Sequence, residues 1–128
     1  MLEVVVVEDE IQSQVTKRVD EIRQKYPSVS LDHLILDGEY GRWGVILYTD
    51  YDFTAQGLDF IESDESWKRP EAVEQYNGIV GEGYCVVVYV PHAAVDDFMA
   101  KLDREGGRSN IRIASIEQPS IAIARSRK

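Results

Sequence analysis

Two uninterrupted apolar runs dominate the pattern of this chain, Val4-Val5-Val6-Val7 near its start and Tyr84-Cys85-Val86-Val87-Val88-Tyr89-Val90 past its middle. A strand with apolar side chains at every position leaves no face for water, so each run suits a strand covered on both sides. Each is followed directly by an amphipathic segment. Between Asp9 and Tyr26 the apolar residues Ile11, Val15, Val19, Ile22 and Tyr26 recur at steps of three and four, which puts them on one face of a helix. Glu8, Asp9 and Glu10 stand at the positive end of its dipole, Lys25 stands near the negative end, and Pro27 closes it. After the second run, Pro91 opens a helix with the stripe Val95, Phe98, Met99 and Leu102, and Gly106 and Gly107 end it.

Hairpins follow both helices. Residues 31–37 and 42–49 are β-rich and flank Gly38-Glu39-Tyr40-Gly41, while residues 111–116 and 121–125 flank Glu117-Gln118-Pro119-Ser120. The two ends therefore repeat a pattern of strand, helix, strand, strand with little match of residues. The expectation is one α+β domain over residues 1–128. Its two βαββ halves, 1–49 and 83–128, merge into one mainly antiparallel sheet with both helices on one face. That arrangement is ferredoxin-like in the broad sense, an architecture that hosts many unrelated functions. Residues 50–82 read as an insertion with one or two short helices, carrying Leu58, Phe60 and Ile61 and then, after Pro70, Ala72, Val73 and Tyr76.

Charge is concentrated in that insertion. The chain carries 23 acids and 14 bases, a net charge of −9. Residues 50–82 hold nine acids against Lys68 and Arg69 and account for −7; the segments before and after carry −4 and +2. A negative whole argues against nucleic acid and anionic membrane, which are recognised by clustered Lys and Arg. The basic end, Arg125, Arg127 and Lys128, reads as a solvated terminus. No apolar run approaches the ~20 residues that span a bilayer. The opening MLEVVVVEDE lacks the basic start of a signal peptide. One cysteine, Cys85, excludes an internal disulfide and a cysteine metal cluster, and a cytoplasmic location is expected.

Short motifs do not assemble a cofactor or metal site. Asp50-Tyr51-Asp52-Phe53-Thr54 opens like a calcium loop, but the glycine and glutamate such a loop needs at its sixth and twelfth positions are Ala55 and Ile61. Gly78, Gly81 and Gly83 lead into a strand, whereas a phosphate cradle leads into a helix N-terminus. Cys85, set among valines, reads as a small hydrophobe. Of the two histidines, His33 sits in a strand, while His92 follows Pro91 where a helix dipole keeps imidazole neutral and able to act as a base. No Ser, Cys or carboxylate pair stands at a diagnostic spacing from His92. Tyr40, Trp43, Tyr48, Tyr51 and Phe53 crowd the first hairpin and its exit, with Arg42 among them. Aromatic clusters of this kind serve ligand and partner surfaces, and core packing explains one face of the strand equally well.

These residues describe a non-catalytic binding or regulatory module, homo-oligomeric, that engages a protein partner or small polar ligand. Its contact surface is expected on the acidic insertion and the aromatic hairpin, at Arg42, Tyr48, Asp50, Tyr51, Asp52 and Trp67. No cofactor and no metal are expected. The competing reading is a small cytoplasmic enzyme with an acid–base site between sheet and insertion, built from His92, Tyr48 and insertion carboxylates.

Overall fold

The computed structural model describes residues 10–49 and 56–123, the final strand as backbone alone. The apolar spacing of the first segment yields helix α1, Glu10–Lys25, which buries Ile11, Val15, Val19 and Ile22. Tyr26, expected on the same stripe, lies just past the helix and is 55% exposed. The first hairpin forms as read: β1 (Ser30–Gly38) pairs antiparallel with β2 (Gly41–Thr49) around the two-residue turn Glu39-Tyr40. The chain continues through β3 (Gln56–Ile61), α2 (Ala72–Gly81), β4 (Cys85–Val90), α3 (Val95–Arg104), β5 (Arg112–Ser115) and β6 (Gln118–Ile123).

The six strands lie side by side in the order of the sequence. β2 and β3 pair antiparallel, β3–β4 and β4–β5 pair parallel, and β6 returns antiparallel to β5. Parallel neighbours need a crossover connection. Right-handed crossovers that step across a sheet in one direction place their helices on the same face. α2 and α3 accordingly cover one side, over a core of Trp43, Phe60, Val86, Val88, Val90 and Ile113. α1 covers the other side, against Ile46, Ile61, Tyr89 and Ala114. The valine run is thus consumed on both faces: Val86, Val88 and Val90 point toward α2 and α3, Val87 and Tyr89 toward α1.

The fold is α+β, and among the described residues the ferredoxin-like merger of two βαββ halves is not confirmed. The helices occupy opposite faces instead of one, and the sheet is mixed. Moreover the segment expected to be a helical insertion contains β3, a central strand. Leu58, Phe60 and Ile61, read there as helical, lie in that strand, which is interrupted in sequence by Gly57 and Asp59. The expected strand at Val4–Val7 lies outside the described residues. Among the described residues no helix is long and apolar enough to cross a membrane.

Close packing of α1 depends on one missing side chain. A Cβ at Gly44 of β2 would overlap the Val15 side chain of α1, so the helix rests on bare backbone at that point. On the opposite face the core is aromatic. Phe60 and Tyr76 meet edge to face with centroids 4.9 Å apart, and Phe98 meets both Trp67 and Tyr76 at 6.1 Å.

Candidate functional site

Topology brings four chain segments to one end of the sheet. β2 begins where antiparallel β3 ends, through the pair Gly44 and Ile61, and parallel β4 ends beside it, through Ile61 and Tyr89. The hairpin turn, the segment after β3, the segment after β4 and the first turn of α1 therefore converge. Between them lies a groove of about 650 Å³, within the usual range for small-ligand sites. Its walls include Glu10 and Gln14 of α1, Glu39, Tyr40 and Arg42 of the hairpin, Glu62 to Glu65 after β3, and Pro91. The carboxylates of Glu10, Glu39, Asp64 and Glu65 belong to exposed residues. Arg42 contributes the positive charge, and it is ion-paired with Asp37 across the hairpin at 2.9 Å. Glu65 is 3.2 Å from Lys68. The groove is acidic, and its described lining holds neither histidine nor cysteine.

The wall after β3 is fixed from beneath by a buried polar network. Glu62 is fully buried and carries the key acceptor pair. Its Oε1 accepts from Arg69 Nη1 and from Ser66 Oγ at 2.7 Å, and its Oε2 accepts from Tyr76 Oη at 2.6 Å. Arg69, equally buried, also donates to the Ser66 carbonyl at 2.9 Å and to Gln75 Oε1 at 3.0 Å, and its guanidinium lies 3.9 Å from the centre of the Trp43 ring. Ser63 and Ser66 exchange hydrogen bonds, each amide to the other hydroxyl. Lys101 of α3 closes the network by donating to the carbonyls of Arg69 at 2.9 Å and Lys68 at 3.3 Å. Burial, and next the Glu62 charge, push the Tyr76 phenol well above its ordinary pKa, so it remains a donor. Buried Glu62 and Arg69 thus bracket exposed Asp64 and Glu65. The internal ion pair holds the external acids in place.

A second buried carboxylate lies beneath α1. Asp59 of β3 is fully buried, and its Oδ2 accepts from Arg18 Nε at 3.0 Å. Arg18 also stands over the Tyr89 ring, 5.1 Å from its centre. The Asp59 Oδ1 atom has no hydrogen-bond donor among the described residues. Burial raises the Asp59 pKa and outweighs the opposing effect of Arg18. Burial and the nearby Asp59 likewise raise the Tyr48 phenol.

The residues anticipated as contacts separate in space. Arg42 lines the groove. Tyr48 lies opposite Gly57, at the far end of β3, with its ring over a position where a Cβ would overlap it. Trp67 is 8% exposed and packs on Phe98, so it is a core residue. Asp50, Tyr51 and Asp52 lie outside the described residues. His92 is exposed, and its backbone amide donates to Glu117 Oε2 at 2.8 Å, an oxygen that also accepts from Ser115 Oγ at 2.6 Å. Partial burial acts to raise the Glu117 pKa, but the bonds from Ser115 and the backbone amides outweigh it and hold the pKa low. Gly57 and Cys85 share a register position, and His92 lies seven positions along the chain from Cys85. At about 3.3 Å per strand residue, Tyr48 and His92 stand roughly 20 Å apart. They do not form one acid–base site. Glu62, Arg69, Lys101, Arg18 and Asp59 were not singled out in the sequence. Asp59, between Leu58 and Phe60, and Lys101, between Ala100 and Leu102, carried a signal, an ionisable residue inside an apolar stretch; Arg18, Glu62 and Arg69 carried none. Among the described residues no group of three His, Cys, Asp or Glu could hold a metal ion.

Comparison with protein families, curated proteins and solved structures finds no match for this chain.

Proposed function

We propose that this domain is a non-catalytic, self-associating binding module. Its ligand is polar and cationic, an amine, a guanidinium or a basic peptide segment, held in the groove between the first hairpin and the segment after β3. The observation that carries this reading is the groove itself: about 650 Å³ of space with exposed carboxylates converging from three elements. Carboxylates from separate elements give a multivalent acceptor set for ammonium or guanidinium donors. Their mutual repulsion is relieved when a cation binds among them. The buried Glu62–Arg69 pair supports the reading because it makes the wall rigid and so lowers the ordering cost of binding.

Isothermal titration calorimetry with spermidine and with a short Lys/Arg peptide tests this. Binding is expected, with affinity falling as salt rises. Glu39→Gln combined with Asp64→Asn is expected to weaken it by roughly tenfold, about 1.4 kcal/mol. No heat from either probe, or an affinity indifferent to the double substitution, overturns the proposal.

A further inference from the structure

Strand β1 pairs with β2 on one side, and among the described residues nothing pairs with its other side. The pair Gly38 and Gly41 closes a two-residue turn, so Gly38, Leu36, Leu34 and Asp32 exchange backbone bonds with β2. Asp37, Ile35, His33 and Leu31 consequently direct their amides and carbonyls outward. The His33 amide agrees with this count, since it donates to the side chain of Asp32 at 2.9 Å and not to β2. Beside this free edge lies an uncovered apolar strip. Leu34 is 50% exposed, Leu36 37% and Leu47 of β2 38%.

We infer that β1 is the interface of a two-fold homodimer, in which two copies of β1 pair antiparallel about Ile35 to join their sheets. This names the contact for the self-association proposed above and rests on that part of the reading. A two-fold pairing makes every contact twice, so a strand suits it when its residues complement one another about a centre. Centred on Ile35, the outward groups of Ile35 meet those of the second copy's Ile35. His33 falls opposite the second copy's Asp37, an imidazole–carboxylate contact made twice. Leu34 falls opposite the second copy's Leu36, closing the apolar strip, and Asp32 faces the small Gly38. Asp37 then sits between Arg42, already 2.9 Å away, and an incoming imidazole. Shifting the centre destroys this match. Centred on Leu34, Asp32 opposes Leu36 and Leu31 opposes Asp37; centred on Leu36, Ile35 opposes Asp37. Complementary polar pairs and apolar pairs across strands stabilise a sheet, and the mismatched pairs do not.

Cysteine crosslinking reads the register. Because Cys85 is exposed, the variants are made in a Cys85→Ser background. Leu34 and the second copy's Leu36 would form a non-hydrogen-bonded pair with Cα atoms about 4.5 Å apart, within disulfide reach. Two copies of residue 34 would be about 8 Å apart, beyond it. A mixture of Leu34→Cys and Leu36→Cys proteins is therefore expected to form a covalent dimer on oxidation, while neither protein alone does so. Wild-type protein is expected to be a dimer by light scattering, and Leu34→Lys with Leu36→Lys, at positions exposed in the single chain, a folded monomer by the same measurement and circular dichroism. Efficient crosslinking of either single variant with itself overturns the register. A wild-type dimer that neither crosslinks in the mixture nor dissociates with the lysines overturns the β1 interface and leaves self-association standing. A monomeric wild type at high concentration overturns both.

Discussion

Glutamate 62 is the residue on which the acidic wall depends, and replacing it tests that dependence quantitatively. Glu62→Gln keeps the shape and removes the charge. Arg69 is then a buried guanidinium without its carboxylate, and one of the three donors aimed at Glu62 faces an amide N–H₂ instead of an oxygen. Breaking a buried ion pair from one side destabilises a protein by about 3–5 kcal/mol. Arg69 retains the Ser66 carbonyl, Gln75 and the Trp43 ring, which places the expected loss at the lower end, about 3 kcal/mol. With unfolding entropy of about 2.1 cal/mol/K per residue, a chain of this length loses roughly 11 °C of Tm. Urea unfolding followed by tryptophan fluorescence suits the measurement, since Trp43 and Trp67 are both buried and Trp43 stacks on Arg69. The companion variants are Glu62→Leu, Arg69→Met and the double variant Glu62→Leu/Arg69→Met, which close a cycle. The apolar pair leaves no stranded charge, so it is expected to be more stable than the sum of single losses by about 2 kcal/mol or more. A Tm change below about 3 °C for Glu62→Gln, or losses that add within about 0.5 kcal/mol, would refute the argument that this pair locks the segment.

Further outcomes follow from the same packing. Gly44→Ala forces α1 away from β2 at Val15 and is expected to destabilise by about 1–3 kcal/mol, with Val15→Ala/Gly44→Ala recovering part of the loss in the same unfolding assay. Lys101→Met removes the donor to two carbonyls of the segment after β3, and an expected loss of about 1–3 kcal/mol should come with faster amide exchange at Ser66–Lys68; unchanged exchange counts against it. Asp59 has a folded pKa raised above its ordinary 3.8, so the folded state binds this proton more tightly than the unfolded chain. Its contribution is most favourable below that ordinary value and is lost as pH rises through the folded one. The stability of Asp59→Asn relative to wild type is therefore expected to climb from about pH 4 upward, and urea midpoints that differ by the same amount at every pH would sink the assignment.

Local chemistry was legible where local rules decide the outcome. The stripe of α1, the hairpin of β1 and β2 and the valine strand β4 each follow from periodicity or turn residues that need no distant partner. β3 was not legible, because its two deviant residues answer to other elements. Gly57 makes room for the Tyr48 ring, and Asp59 receives Arg18 from α1. The same blindness distorted the charge reading. Nine acids between residues 50 and 82 marked the insertion as the acidic part of the chain, yet Asp59 and Glu62 lie inside the fold, each against an arginine. Counting charge along a chain does not distinguish a carboxylate that meets water from one that organises the interior. Of the residues anticipated as contacts, Arg42 lines the groove, whereas Asp64 and Glu65, which line it from the segment after β3, were not singled out in the sequence. Trp67 and Tyr48 were drawn from the same stretches but serve the core and the opposite end of the sheet.

The strand order has a consequence for synthesis. Because the strands stand in the sheet as they leave the ribosome, each new one meets its partner as the immediately preceding strand, and the sheet can grow by addition at one edge. α1 is the exception. It is made before every described strand, yet its apolar stripe packs on Ile46, Ile61, Tyr89 and Ala114, residues contributed by four successive strands from β2 to β5. The earliest helix is therefore the last to be fully seated, and a nascent chain halted after β3 still lacks half of that platform. A product that ends before β4 and β5 leaves part of the α1 stripe uncovered, an apolar surface of the kind that makes incomplete chains prone to aggregate.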